Sequence, residues 1–171
     1  MRMIHPIFIP WHTFSFVLIR RRQTMRSRDA QRLIQDLSEK IGEIEANRVE
    51  MAEFDDKRVY ILDEEIEFVE DENGLYPYLG GAYLEYLPRV IVDMGAVRFV
   101  CNGADIMAPG IVEVDEFKED SLVVVRDVTH GKALAVGRAI KSSGEIESKD
   151  KGKVIQNIHY VGDDLWENAS L

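Results

Sequence analysis

The feature that most restricts the fold is a series of short apolar segments in the second half of the chain, separated by turns that contain glycine. β-Branched and aliphatic residues dominate these segments, as is typical of strands. Several short strands with glycine-bearing turns predict a small barrel. The strands are expected at Arg89–Val92, Asp105–Met107, Ser121–Arg126, Ala133–Ala139 and Val154–Ile158, with a short helix at Met94–Val100 and a final turn or helical turn at Gly162–Glu167.

Residues 25–87 show a mixed α+β pattern. Ser27 is a candidate N-cap for an amphipathic helix that ends near Gly42, and the apolar stripe of this helix either packs on a local sheet, which we favour, or binds a partner. The chain is therefore expected to form an α+β N-terminal domain followed by a β-barrel domain, with the boundary at Pro88. The stripe consists of Leu33, Ile34, Leu37, Ile41 and Ile44, and the strands predicted after it are Arg48–Phe54, Lys57–Leu62 and Glu64–Val69.

Two segments of this first half resemble functional sites but have simpler structural interpretations. The acid-rich stretch Asp63–Glu72, with Ile66 and Phe68 expected on one side, does not hold two carboxylates across a cleft. We interpret it as an acidic edge strand that discourages pairing. The tyrosines of Gly74–Leu87 either stack on bases or fill a seam between domains, and we favour the seam because no Lys or Arg is adjacent. They are Tyr76, Tyr78, Tyr83 and Tyr86.

Charge and cysteine content restrict the chemistry. The net charge is −10, yet residues 1–28 hold six arginines and no acid, so the rest of the chain is more acidic still. Such a body does not by itself indicate nucleic-acid binding, since phosphate contacts come mostly from lysine and arginine. The single cysteine, Cys101, excludes an internal disulfide and fits a reducing, cytoplasmic compartment. We expect it to be a small core residue, and we expect no metal or cofactor.

The first 24 residues differ in composition from the rest. The apolar run Ile7–Ile19 is interrupted by Pro10 and is short for a membrane span, and the basic run Arg20–Arg22 follows it, whereas a signal peptide carries its positive charge first. Three interpretations remain open: the native chain begins at Met25, which we favour, the stretch is a genuine but peripheral extension, or it is a membrane anchor. Under the first two, residues 1–24 should contribute little.

The order of motifs in the second half resembles a known family. A helix-opening motif precedes a glycine-rich string, and two strand motifs precede a characteristic ending. This series resembles the PUA domain, named after pseudouridine synthases and archaeosine transglycosylases. The ending resembles archaeal relatives of the malignant T-cell-amplified-sequence protein and of initiation factor 2D (ligatin), which place a small α+β domain before the PUA domain. The motifs are Asp93-Met94-Gly95-Ala96, the string from Gly103 to Ile111, Ala135-Val136-Gly137, Gly152-Lys153-Val154, and Asn157-Ile158-His159-Tyr160 with Asp164-Leu165-Trp166.

The resemblance implies a PUA-like β-pseudobarrel at residues 88–167 that binds structured RNA, with a tail at 168–171. In that family the RNA face comprises the helix after the first strand, the glycine-rich loop, its short strand and part of the last strand. A glycine-rich backbone lets N–H groups approach RNA oxygens, and A-form RNA is read largely by shape, so few basic side chains are needed. The positions of this chain that correspond to that RNA face are Gly95, Ala96, Arg98, Phe99, Gly103, Ala104, Asp105 and Met107.

A basic patch should accompany this face, and its candidates are Arg98, Arg138, Lys141, Lys151 and Lys153. Asp105 would either repel a phosphate or accept a hydrogen bond from a 2′-hydroxyl or base amine. His159 is expected to be a hydrogen-bonded structural residue and not a catalytic one.

The resemblance, and the lack of a convincing catalytic set, favour a non-catalytic RNA-binding protein. We expect it to contact tRNA or small-subunit ribosomal RNA in translation initiation or recycling, with the small ribosomal subunit or another translation factor as partner and no membrane contact. Two alternatives remain open. One is an accessory RNA-binding subunit for an RNA-modifying enzyme. The other is a protein-interaction adaptor whose PUA fold has lost RNA binding. The negative charge of the chain after residue 28 is consistent with this alternative.

Overall fold

The computed structural model describes residues 19–147 and 151–169. Within these residues, the N-terminal half is a helix on an antiparallel sheet of five strands in the order β1-β2-β3-β4-β5. A short 3-10 helix, Ala82–Tyr86, leads into the second half. The elements of the first half are β1 (Arg20–Thr24), α1 (Ser27–Lys40), β2 (Val49–Phe54), β3 (Lys57–Leu62), β4 (Glu65–Asp71) and β5 (Gly74–Pro77).

The C-terminal half contains a six-stranded sheet in the order β7-β11-β10-β9-β6-β8, again counting only the described residues. Its strands pair antiparallel except β6 and β9, which run parallel, and they wrap into a nearly closed pseudobarrel. The elements are β6 (Arg89–Val92), α2 (Met94–Val100), β7 (Ile106–Met107), β8 (Ile111–Val114), β9 (Leu122–Asp127), β10 (Ala133–Ala139), α3 (Ser143–Glu147), β11 (Lys153–Tyr160) and α4 (Asp164–Asn168), with a 3-10 turn at Ala108–Gly110.

The two faces of the N-terminal sheet are both covered. Helix α1 lies on one face, where Leu37 packs with a cluster that includes Tyr60 and Phe68. The opposite face packs against the pseudobarrel, so one core cluster draws residues from both halves of the chain. From the residues before Pro88 it takes Ala52, Phe54, Val59, Ile61, Ile66, Val69, Tyr76, Leu79, Leu84 and Leu87, and from the C-terminal half Val124, Val136 and Leu165.

Several predicted elements agree with the structure residue for residue. Arg89–Val92, Met94–Val100 and Ala133–Ala139 coincide with β6, α2 and β10, and the strand Lys57–Leu62 coincides with β3. The amphipathic helix is present and packs its stripe on the local sheet. Its N-cap is Arg26 and not Ser27, and Arg26 makes no side-chain capping bond.

The acidic segment was placed wrongly at an edge. Strand β4 lies between β3 and β5, so it is an interior strand. The ladder shifts register between Tyr60 and Ile61, which leaves Glu67 as a bulge residue. As a result Ile66 and Phe68 lie in different core clusters on opposite faces, and not on one side as their spacing predicted.

Residues directly before Met25 are part of the sheet. Strand β1 pairs with β2, with Thr24 opposite Glu50, and the Met25 N–H donates to the carbonyl of Val49. Arg20–Thr24 therefore forms an exposed edge strand of this sheet. The possible membrane segment Ile7–Ile19 lies outside the described residues except at Ile19, and among the described helices none is long and apolar enough to cross a bilayer.

The tyrosine-rich segment divides between two locations. Tyr76 is fully buried in the core shared by both halves, and Tyr78 packs against that core, as the seam interpretation predicts. Tyr83 instead stacks on Phe68 in the cluster beneath α1, and Tyr86 is exposed.

Candidate nucleic-acid interface

A groove of about 550 Å³ lies between helix α2 and the loop that leads to β7. It unites six of the residues that the sequence selected for an RNA face. Its lining is mainly apolar, with backbone of the glycine-rich string along one wall. The six are Gly95, Ala96, Phe99, Ala104, Asp105 and Met107, and the other lining residues are Asp93, Val100, Ile106, Pro109 and Gly110.

The start of α2 is held against the 3-10 turn after β7. Asp93 is the N-cap, and its Oδ1 accepts a hydrogen bond from the Ala96 N–H at 2.9 Å. The Asp93 N–H donates to the carbonyl of Gly110, also at 2.9 Å. A Cβ on Gly110 would lie 3.3 Å from the Ala96 methyl, so the turn packs closely against the helix. The groove wall is therefore preformed.

The loop after α2 is fixed to the last strand by two polar side chains. The Asn157 amide nitrogen donates to the carbonyls of Val100 and Ala104, each at 3.0 Å. Asp105 accepts the Asn157 backbone N–H at 2.8 Å and the Lys153 ammonium at 3.0 Å. Both carboxylate oxygens of Asp105 thus have protein partners. We conclude that Asp105 positions the loop, which neither of the two roles predicted for it anticipated.

Gly103 serves packing at this loop. Its φ is +84°, in the left-handed region, and a Cβ there would lie 2.9 Å from the ring of Tyr160. The sequence analysis explained Gly103 by a close approach of RNA to the backbone. In the structure, the group that leaves no room for a side chain at Gly103 is the Tyr160 ring of the protein itself.

Two large apolar side chains at the groove are about half exposed to solvent. Phe99 is 52% exposed and Met107 is 49% exposed. The Arg98 guanidinium lies over the Phe99 ring, with 4.6 Å from its central carbon to the ring centroid. An exposed aromatic ring next to a guanidinium offers a stacking surface and a positive charge together, which suits a nucleotide.

The predicted basic residues do not all share this location. Lys153 lies opposite Met107 in the β11–β7 ladder, so it belongs to the groove rim. Lys151 precedes it by two positions, while Lys141 follows β10 and its backbone N–H bonds the carbonyl of Val154. Arg138 lies elsewhere: its guanidinium donates to the carbonyls of Asp120 and Asn73 at 3.0 and 2.8 Å, across the seam between the two halves. The structure therefore removes Arg138 from the predicted patch.

His159 is a buried structural residue, as predicted. The ring is 1% exposed, stacks on Tyr78 at 5.4 Å between centroids, and its Nδ1 lies 2.6 Å from Asp163 Oδ2. Burial of Asp163 opposes ionisation, but hydrogen bonds from His159 and from two backbone N–H groups outweigh it and lower the pKa of Asp163. The sequence motif around His159 thus joins the last strand to α4 and to the tyrosine seam.

Cys101 packs beside the pseudobarrel core and is partly buried. Burial raises the pKa of its thiol, which opposes thiolate formation. Among the described residues, no three side chains of the His, Cys, Asp or Glu type form a cluster that could hold a metal ion.

Comparison with known proteins agrees with this architecture. A family model for the PUA domain matches residues 88–161. An uncharacterized protein of Methanocaldococcus jannaschii is 40% identical over 157 residues, which cover 86% of this chain and 96% of that protein. Translation machinery-associated protein 20 of Saccharomyces cerevisiae is 33% identical over 130 residues, 70% of this chain and 72% of the relative. The chain belongs to this PUA-domain family.

The solved structures support the same conclusion. A hypothetical protein from Pyrococcus horikoshii superimposes with a TM-score of 0.75 at 31% identity, covering 86% of this chain and 98% of its own. The match extends well beyond residues 88–161 of the PUA model, so the relatives share the N-terminal half as well as the pseudobarrel. The resemblance to the malignant T-cell-amplified-sequence proteins is confirmed.

Some residues of the groove were not selected from the sequence. Asp93, Pro109 and Gly110 lie in the quoted motifs, so the signal was present, but Asp93 was interpreted as part of a helix-opening motif and none of the three was assigned to the RNA face. Asn157 and Tyr160 belong to the quoted ending, but their contacts with the loop require the pairing of β11 with β7, which no local pattern reveals.

Proposed function

We propose that this PUA protein is a non-catalytic RNA-binding protein of the translation machinery. It contacts tRNA or small-subunit ribosomal RNA through the groove between α2 and β7, and it acts in the cytoplasm. The PUA match and the relatives named for the translation machinery support this proposal.

The observation that carries the proposal is the groove itself. Residues chosen from a family resemblance converge on one preformed surface, with Phe99 and Met107 exposed at it. A solvent-exposed phenylalanine contributes little to the core, but a base stacked on such a ring gains about 1–3 kcal/mol. Arg98 places positive charge beside that surface, which partly offsets the acidic body, whereas the charge of Lys153 is paired with Asp105. The proposed role needs no catalytic step.

Filter binding of labelled tRNA and of a small-subunit RNA fragment, at two salt concentrations, tests the proposal. Wild-type binding should weaken as salt rises, because phosphate contacts release counterions. Arg98→Glu should abolish binding, and Phe99→Ala should weaken it about 5- to 150-fold, the equivalent of one lost stack. Both side chains are exposed, so circular dichroism should show unchanged folding.

Lys132→Glu is the matched control for charge, since Lys132 is exposed in the turn between β9 and β10 and lines no part of the groove. It should bind RNA within a few-fold of wild type. Equal affinities for Arg98→Glu and Lys132→Glu would refute the groove as the RNA face. Absence of wild-type binding at low salt would favour a protein adaptor, and co-sedimentation with small ribosomal subunits distinguishes a translation role from RNA modification.

A further inference from the structure

We propose a second RNA contact in the N-terminal half of the chain. It is an arginine strip that binds the RNA phosphate backbone independently of the RNA sequence. The strip consists of Arg20, Arg21, Arg26, Arg28 and Arg32, all exposed. The inference rests on the proposed function, because the RNA that contacts the strip is the RNA molecule that the groove binds.

The strip follows the edge of the N-terminal sheet and continues on the outer face of α1. Arg20 and Arg21 lie on β1, which in the described residues pairs with β2 alone. Arg26 is the N-cap of α1. Arg28 and Arg32 are one turn apart on the helix surface, about 6 Å in rise. From Arg20 to Arg26 the chain spans at most about 20 Å, long enough to meet several phosphates.

Nearby acids neutralise only part of this charge. Glu53 pairs with Arg21, while Glu50 and Glu64 pair with Arg22 and Arg48. Within the described part of the chain, the side chains of Arg20, Arg26, Arg28 and Arg32 take part in no ion pair. The nearest acid in sequence, Asp29, lies in the first turn of α1. A positive surface therefore remains on a chain whose net charge is −10.

The positions of these arginines do not favour stability. N-caps are typically Ser, Thr, Asp or Asn, and the first turn of a helix favours acids, whereas Arg26 and Arg28 occupy these places. Local choices that oppose stability are characteristic of functional surfaces.

RNA backbone is the occupant that fits the strip best. A protein partner would seek apolar anchors at the centre of its interface, but none of the exposed large hydrophobic side chains of the described residues belongs to the strip segment 20–32. Guanidinium groups bind phosphate oxygens in bidentate fashion and need no apolar neighbour.

The test compares two double variants that remove the same charge. Arg28→Gln with Arg32→Gln neutralises the helical part of the strip, and glutamine matches arginine in helix propensity. Lys118→Gln with Lys132→Gln is the control, since both lysines are exposed and lie on pseudobarrel loops. Binding of tRNA and of an unrelated structured RNA by the full chain is measured from about 0.05 to 0.5 M salt.

The strip variant should lose about 1.4–1.8 from the slope of log K against log salt, one phosphate for each arginine. At 0.1 M salt this corresponds to about 25- to 60-fold weaker binding, to the same extent for both RNAs. The control pair should keep the wild-type slope.

If the strip variant keeps the slope of the control pair while Phe99→Ala weakens binding, the strip is overturned and the groove stands. If the wild-type chain binds neither RNA, both proposals fall. If the strip variant loses affinity for one RNA only, the contact depends on sequence, and the backbone assignment is refuted.

Discussion

Replacing Gly103 by alanine tests whether this glycine is required by the protein's own packing. Two costs combine at this position. The residue has φ +84°, and placing an L-residue in the left-handed region costs about 1–2 kcal/mol. The new methyl carbon would also lie 2.9 Å from the Tyr160 ring, which must shift, and overpacking of this kind costs about 1–3 kcal/mol. Gly103→Ala should therefore destabilise the protein by about 2–5 kcal/mol.

Gly131→Ala separates these two costs. Gly131 also has a positive φ, +65°, but a Cβ there meets nothing within 4 Å. This variant should cost only the dihedral term, about 1–2 kcal/mol. In the Gly103→Ala background, Tyr160→Leu should remove the excess over Gly131→Ala, because the ring is no longer present to crowd the methyl group.

Urea unfolding of the wild type, the single variants and the double variant gives each free energy, and thermal unfolding should show Gly103→Ala about 5–20 °C below wild type. The reasoning is refuted if Gly103→Ala costs no more than Gly131→Ala, or if Tyr160→Leu fails to reduce the excess. A loss of RNA affinity in Gly103→Ala that Tyr160→Leu does not restore would return Gly103 to the direct contact role predicted from the sequence.

Two other variants examine the seam between the halves. Asp163→Asn keeps a good N-cap but removes the charge that faces His159, so it should cost about 1–3 kcal/mol at pH 7. The folded pKa of Asp163 is lowered, so the stability that the Asp163 carboxylate contributes is fully present above the unfolded value near 4 and is lost as pH falls through the folded pKa. The urea unfolding midpoints of variant and wild type should therefore converge at acid pH. A difference between the midpoints that stays constant with pH would contradict this assignment. Arg138→Met should lower stability by about 1–3 kcal/mol through loss of its bonds to Asn73 and Asp120, yet leave RNA affinity within twofold of wild type in filter binding. Arg98→Met should instead reduce the slope of log K against log salt by about one, because Arg98 is exposed at the groove. Equal effects of both substitutions on affinity would place Arg138 back in the patch.

The sequence predicted most reliably where local pattern and turn chemistry agree. Helix α2 has an Asp N-cap and β6 is a compact β-branched run, and both were located to the residue. The glycine-rich string and the ending predicted the groove because a family resemblance supplied the long-range pairing that single-sequence patterns lack.

The errors have common physical causes. The bulge at Glu67 reverses the side-chain alternation, so period-two spacing assigned Ile66 and Phe68 to the same face. Strand β1 was not predicted because it carries three arginines and shows no apolar alternation. It forms by pairing with the edge of β2, and a local sequence pattern does not reveal such long-range pairing. Arg138 was selected for its charge, but carbonyl acceptors at Asn73 and Asp120 use its guanidinium within the protein.

The core cluster shared by the two halves has a consequence for how such a protein can change over evolutionary time. Phe54 and Tyr76 on one side pack with Val124, Val136 and Leu165 on the other, so each half, besides a core cluster of its own, has an apolar face that the other half covers. The pseudobarrel here is not a detachable unit that recombination can transfer to a new neighbour without redesigning the buried contact. Divergence among relatives must therefore proceed by coordinated substitution across that contact, while the groove, whose lining shares no residue with that cluster, stays free to adapt to its ligand.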